Sequence, residues 1–180
     1  ILHGSELGDA PRNSPGERFH HLFESALSGV SGKALKDRVA VEFDTEEHTF
    51  GQLDALANRI GRHLKDQGAK AGDIVALLFD RSIHAYASVL AVSKIGCAFL
   101  PLDAGFPDDR IGFICGDSGA KFALTVSFHS AKFAKTGVHV IALDEAEEAY
   151  GKLAPTAPAI AGVSSDRDAL CYIIYTSGTT

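Results

Sequence analysis

Asp73–Phe79 reads DIVALLF, a run in which every residue after the first is apolar. A strand with one wet face alternates polar and apolar residues. A continuous apolar run is what a strand buried on both faces requires, and that burial arises where helices cover both sides of a parallel sheet. The flanking segments supply such helices. Upstream, HTFGQLDALANRIGRHLKDQG places Leu53, Leu56, Ala57, Ile60 and Leu64 on one stripe at helical spacing. Thr49 and Gln52 form a capping box at its start, and Gly68 is the stop. Downstream, a mostly apolar helix spans about Ile83 to Ile95, ended by Gly96, and CAFLPL follows as a strand.

The alternation continues. Pro107 opens a helix at its first position, with Asp108 and Asp109 at the positive end of the dipole, and Gly116 or Gly119 ends it. KFALTV and VHVIAL read as strands, with a short helix near Ser127 to Ala134 between them. GKLAPTAPAIAGVSSDRD is a loop, and ALCYIIYT is the last strand. Before the capped helix, RFHHLFESAL has Phe19, Leu22, Phe23, Ala26 and Leu27 at helical spacing, and RVAVEF is a strand. Residues 1–17, rich in Gly, Ser and Pro, read as a linker or loose lead-in. The expected class is α/β, with a mainly parallel sheet and helices on both faces. Ligands of such sheets bind at the carboxyl ends of the strands. No repeat at a solenoid period occurs.

Charge and composition remove several functions. With 17 basic and 23 acidic residues and a net charge of −6, the chain offers no basic surface for nucleic acid. The most apolar window, Ala85–Leu102, is interrupted by Lys94, Gly96 and Pro101, so it reads as a buried helix and strand rather than a membrane span. Cys97, Cys115 and Cys171 lack CxxC spacing, which points to buried free thiols in a reducing cytoplasm rather than disulfides or zinc. The eight histidines have no metal-ligand spacing either, so no metal site is expected. The 180 residues suit one domain or a large piece of one. The chain begins at Ile1, has no Met and no signal peptide, and reads as a segment cut from a longer protein.

Other conspicuous residues have plain readings. Asp103 and Asp117 are expected in a turn and a cap. Asp144–Tyr150 reads as a solvated acidic helix face, Lys94 as a lysine snorkelling from an apolar helix, and Tyr175 as packing.

The segment TSGTT, Thr176–Thr180, follows the last strand with four hydroxyls and one glycine. Successive backbone N–H groups can form a nest for phosphate, glycine permits close approach, and hydroxyls add donors or reach a magnesium ion. A plain polar turn after a strand has the same composition. The segment is neither G-x-x-x-x-G-K-[ST] nor G-x-G-x-x-G.

Four segments together resemble one family. YTSGTT resembles the opening of the phosphate-binding signature of the adenylate-forming enzyme superfamily. HTFGQLDALANRIGRHL is similar to that family's early helix signature, VSKIGCAFLPLD to its Leu-Lys-Ala-Gly-x-Ala-Tyr-x-Pro-Ile/Leu-Asp segment, and PDDRIGFICGDSGAKFALT to the segment that follows. They occur in the family's order over most of residues 19–180. The PLD at Pro101–Asp103 resembles nonribosomal peptide synthetase adenylation domains, whereas fatty acyl-CoA synthetases and luciferase-like relatives usually carry Asn-Pro there. Ala104, Phe106, Ile95 and Gln52 replace the usual Pro, Tyr, Ala and Glu.

The resemblance implies an incomplete N-terminal part of an acyl-CoA synthetase-like fold. Residues 18–180 would be the N-terminal portion of an AMP-binding adenylation domain, ending in the phosphate-binding loop. It implies an ATP- and magnesium-dependent ligase that activates an amino acid as its acyl adenylate. A carrier-protein domain then takes the acyl group on a phosphopantetheine thiol. Thr176, Ser177, Gly178, Thr179 and Thr180 would hold the nucleotide phosphates, and no catalytic residue falls within this stretch, which alone would be inactive. An acyl-CoA or aryl-acid ligase and a non-catalytic nucleotide-binding scaffold are the alternatives.

Overall fold

A computed structural model describes residues 18–28, 32–158 and 169–176. The elements run α1 (Phe19–Ser28), α2 (Gly32–Lys36), β1 (Val39–Phe43), β2 (Glu46–Thr49), α3 (Phe50–Asp66), β3 (Ile74–Leu78), α4 (Ile83–Lys94) and β4 (Ala98–Leu102). They continue with α5 (Asp108–Ser118), β5 (Phe122–Thr125), α6 (Ser127–Ser130), a 3-10 turn (Ala131–Phe133), β6 (His139–Ala142) and α7 (Glu147–Gly151). The expected lead-in, 1–17, lies outside the described residues.

The four-stranded sheet has the order β4-β3-β5-β6, with every pair parallel. β3 lies inside it, which explains the unbroken apolar run. Successive side chains of a strand point to opposite faces. Val75 and Leu77 therefore join α3 and α4 on one face, and Ala76 and Leu78 join α5 on the other. β5 divides in the same way, Phe122 and Leu124 against Ala123. Both faces are covered, as expected.

α3 begins as its sequence dictates. Gln52 N–H donates to Thr49 Oγ1 at 3.2 Å, and Thr49 N–H donates to Gln52 Oε1 at 2.8 Å, which completes the capping box. Ala57, Ile60 and Leu64 are fully buried. At Gly61 an added Cβ would lie 3.3 Å from the Ala91 carbonyl oxygen and 3.2 Å from Ile95 Cγ2, so α3 and α4 cross in close contact. Thr49→Ala is expected to cost about 1 kcal/mol, because it orphans a helix-terminal N–H. A lowered urea midpoint at unchanged slope checks this.

Three expectations are corrected, and one element is new. Pro107 is the N-cap of α5 and the helix starts at Asp108; at the other end Gly119, at φ 70°, is the terminating glycine. The new element is β2, a polar strand formed by antiparallel pairing with β1 around Asp44, whose φ is 52°. The last strand reduces to one parallel bridge, Phe99 to Tyr172, beyond β4. Lys94 does not snorkel: it is 2% exposed and ion-paired to Glu24 at 2.5 Å and Asp54 at 2.9 Å. The acidic stretch behaves as expected at Glu147 and Glu148, which are exposed, while Tyr150 is buried.

The final segment reaches the β4 edge from the opposite edge of the sheet. After β6 and α7 the chain crosses α3, where Asn58 Nδ2 donates to the Pro155 carbonyl at 2.7 Å and Arg62 Nη2 to the Thr156 carbonyl at 3.1 Å. Among the described residues no helix is long and apolar enough to cross a membrane.

Candidate functional site

The carboxyl ends of β3 and β4 open onto one cleft of about 460 Å³. Phe79, Asp80 and Arg81 enter it from the end of β3, and Pro101–Ala104 with Phe106 from β4 and the turn after it. Tyr175 closes it from the final segment. Local bonds fix these walls. Thr125 Oγ1 donates to the Leu78 carbonyl at 2.7 Å, tying the ends of β3 and β5. Buried His129 places its Nε2 2.8 Å from Asp80 Oδ2. Asp103 Oδ1 accepts the Gly105 N–H at 2.8 Å, the turn role expected of it. Lys132 Nζ donates to the Phe106 carbonyl at 3.0 Å.

The last segment is seated on this framework. Cys171 O accepts the Phe99 N–H at 3.1 Å, and Ile173 N–H donates to Phe99 O at 3.0 Å. Tyr172 stacks on Phe99 with ring centroids 5.6 Å apart. Ile173 and Tyr175 pack against the α5 side of the core. The Tyr175 hydroxyl donates to the Asp117 carboxylate, and that bond, aided by burial, raises the phenol above its ordinary pKa and keeps it a donor.

Thr176, the next residue, is exposed. Ser177, Gly178, Thr179 and Thr180 lie outside the described residues. Of the predicted phosphate ligands, Thr176 alone falls among the described residues, next in the chain to the cleft-lining Tyr175.

The residues between Phe79 and Phe106 were not singled out as a site by sequence, apart from Asp103. The Tyr175–Asp117 pair was also missed. One signal existed: Asp117 lies in the last turn of α5, where a carboxylate opposes the helix dipole and calls for a compensating partner.

The thiols divide. Burial pushes Cys97 up to about 12 and raises Cys115, so both are inert, as expected. Cys171 is exposed, contrary to the buried reading, because among the described residues its segment pairs with β4 alone. Among the described residues no group of three or more His, Cys, Asp or Glu is placed to hold a metal ion.

Residues 30–180 match the AMP-binding enzyme family. The chain belongs to this family. As an AMP-binding family member it is 33% identical to a component of the linear gramicidin synthase of Brevibacillus parabrevis, covering 97% of this chain and 2% of that protein. It is 37% identical to surfactin synthase subunit 2 of Bacillus subtilis, covering 89% of this chain and 4% of the relative. The nonribosomal peptide synthetase FmoA3 (S1046A), solved bound to α-methyl-L-serine-AMP, superimposes with a TM-score of 0.71 at 26% identity. That match covers 86% of this chain and 16% of FmoA3. This AMP-binding chain thus spans a few per cent of the length of the curated relatives named here. The α/β architecture is that of adenylate-forming enzymes, and its relatives are ligases and synthetases of that superfamily.

Proposed function

We propose that the chain is the N-terminal part of an amino-acid-activating adenylation domain of a nonribosomal peptide synthetase, over residues 18–180. Similarity to peptide synthetases along nearly the whole chain carries this reading. In the reaction a carboxylate oxygen of the amino acid attacks the α-phosphorus of ATP. The acyl adenylate forms and pyrophosphate leaves. The thiol of a carrier-domain phosphopantetheine then attacks the acyl carbon and AMP departs.

The demand on the protein is positioned charge stabilisation rather than a protein nucleophile. Thr176, Ser177, Gly178, Thr179 and Thr180 are the groups assigned to the phosphates. Thr176 is exposed and follows Tyr175, which lines a cleft at the carboxyl ends of parallel strands, the part of such a sheet where ligands bind. Hydroxyl oxygens suit magnesium, whose other ligands are phosphates and water. When bound, the ion neutralises charge on the pyrophosphate that leaves.

ATP–pyrophosphate exchange by the protein that carries this chain tests the reading, screened first against amino acids. Exchange driven by an amino acid is the expected result. Exchange with aryl or fatty acids alone would move it to the ligase branch. A folded parent that binds ATP yet exchanges with no acid would be a scaffold.

A further inference from the structure

We infer that Tyr175 is a positioning residue for the hydroxyl-rich turn, and that it acts through Asp117. The inference rests on the phosphate-binding reading of Thr176–Thr180. Backbone pairing of the final segment ends at Ile173, whose N–H donates to Phe99 O at 3.0 Å. Among the described residues no later backbone hydrogen bond holds the segment before Thr176. The last fixed point ahead of the turn is thus a side chain. Tyr175 supplies it twice over, with its ring packed on the α5 side of the core and its hydroxyl on Asp117.

Asp117 is shaped for that task. It stands in the final turn of α5, beside the negative end of the helix dipole, where a carboxylate is disfavoured. Among the described residues it makes no ion pair, and its hydrogen-bond partner is the Tyr175 hydroxyl, 58 positions away. A locally unfavourable residue that meets a long-range partner marks a position selected for the contact. α5 itself is anchored by Ile111, Ile114 and Cys115, all buried. The bond therefore ties the residue before Thr176, which also lines the cleft, to a rigid helix. Loss of the tether frees the backbone at Thr176, the residue that follows it. That weakens MgATP binding and leaves the acid subsite alone.

The test uses the intact adenylation module. Tyr175→Phe keeps the ring and removes the hydroxyl, so the fold survives. It is expected to raise KM for MgATP in pyrophosphate exchange by about 5-fold, the size of one partly exposed hydrogen bond to a charged group. KM for the acid stays within about 2-fold. Asp117→Ala matches it, Asp117→Asn, which keeps an acceptor oxygen, is milder, and the double variant Tyr175→Phe with Asp117→Ala is no worse than either single. Thr176→Val reports on the turn itself. If Thr176→Val raises KM for MgATP while Tyr175→Phe does not, the tether is overturned and the phosphate reading stands. If neither variant has an effect, the phosphate reading fails and takes the tether with it. Additive effects in the double variant, or equal changes for the acid, would show two independent packing roles and overturn the inference.

Discussion

Removing both carboxylates that face Lys94, by Glu24→Gln together with Asp54→Asn, is expected to lower the unfolding free energy by about 3–5 kcal/mol. Lys94 lies in the last turn of α4, with Glu24 on α1 and Asp54 on α3, so one ammonium joins three helices. Its side chain is 2% exposed, while Glu24 and Asp54 retain 34% and 25%. The asymmetry decides which substitution hurts. With the carboxylates gone, a desolvated ammonium has no counter-charge and cannot reach water. With the lysine gone, as in Lys94→Met, the partly exposed Glu24 carboxylate rehydrates and Asp54 Oδ2 still accepts from Asn58 Nδ2, so the buried Asp54 Oδ1 alone loses its partner, while an apolar side chain of similar length fills the space. Lys94→Met is therefore expected to cost less than half as much. Burial, with His21 adding, pushes His20 down to about 4, so at neutral pH it brings no second positive charge to Glu24. Denaturant midpoints of the two variants check the order. Equal losses would mean that packing of the lysine stem, rather than its charge, dominates this junction.

That junction also marks how far the sequence could be read. Elements whose signal is local were legible. α3 declares its cap, stripe and stop within one segment, and β3 declares its double burial by having no polar residue between Ile74 and Leu78. Elements made by distant partners were not. EEHT at β2 has no strand character of its own and pairs because β1 turns back at Asp44. ALCYIIYT has the composition of a strand, yet among the described residues it has one neighbour, β4, and forms a single bridge. Lys94 looks like a snorkelling lysine until α1 brings Glu24, 70 positions away, over it. The site divides in the same manner. Its hydroxyl-rich turn is contiguous and could be quoted from the sequence. The walls of the cleft come from the ends of two strands, and only the crossover through α4 brings Asp80 near Asp103.

Replacing the turn hydroxyls together, by Thr176→Val, Ser177→Ala and Thr179→Val, is expected to lower kcat/KM for ATP in exchange by roughly 10²–10³-fold, the range for losing preorganised donors to a developing charge. The expectation follows from what the proposed reaction needs. Negative charge moves onto a departing pyrophosphate, and stabilising it takes donors already aimed at its oxygens. Backbone N–H groups survive these substitutions, which is why the loss is bounded rather than complete. Gly178→Ala acts differently: it adds a Cβ where phosphate must approach the backbone, so its effect falls on MgATP rather than on the acid. A polar turn with no ligand predicts the opposite pattern, because exposed hydroxyls contribute little to stability and their loss leaves both kinetics and fold nearly unchanged. Steady-state exchange with each substrate varied separately decides between them. A fall of less than about 3-fold, against the 10²-fold expected, would remove Thr176–Thr180 from the chemistry and leave the cleft beside Tyr175 without its phosphate ligands.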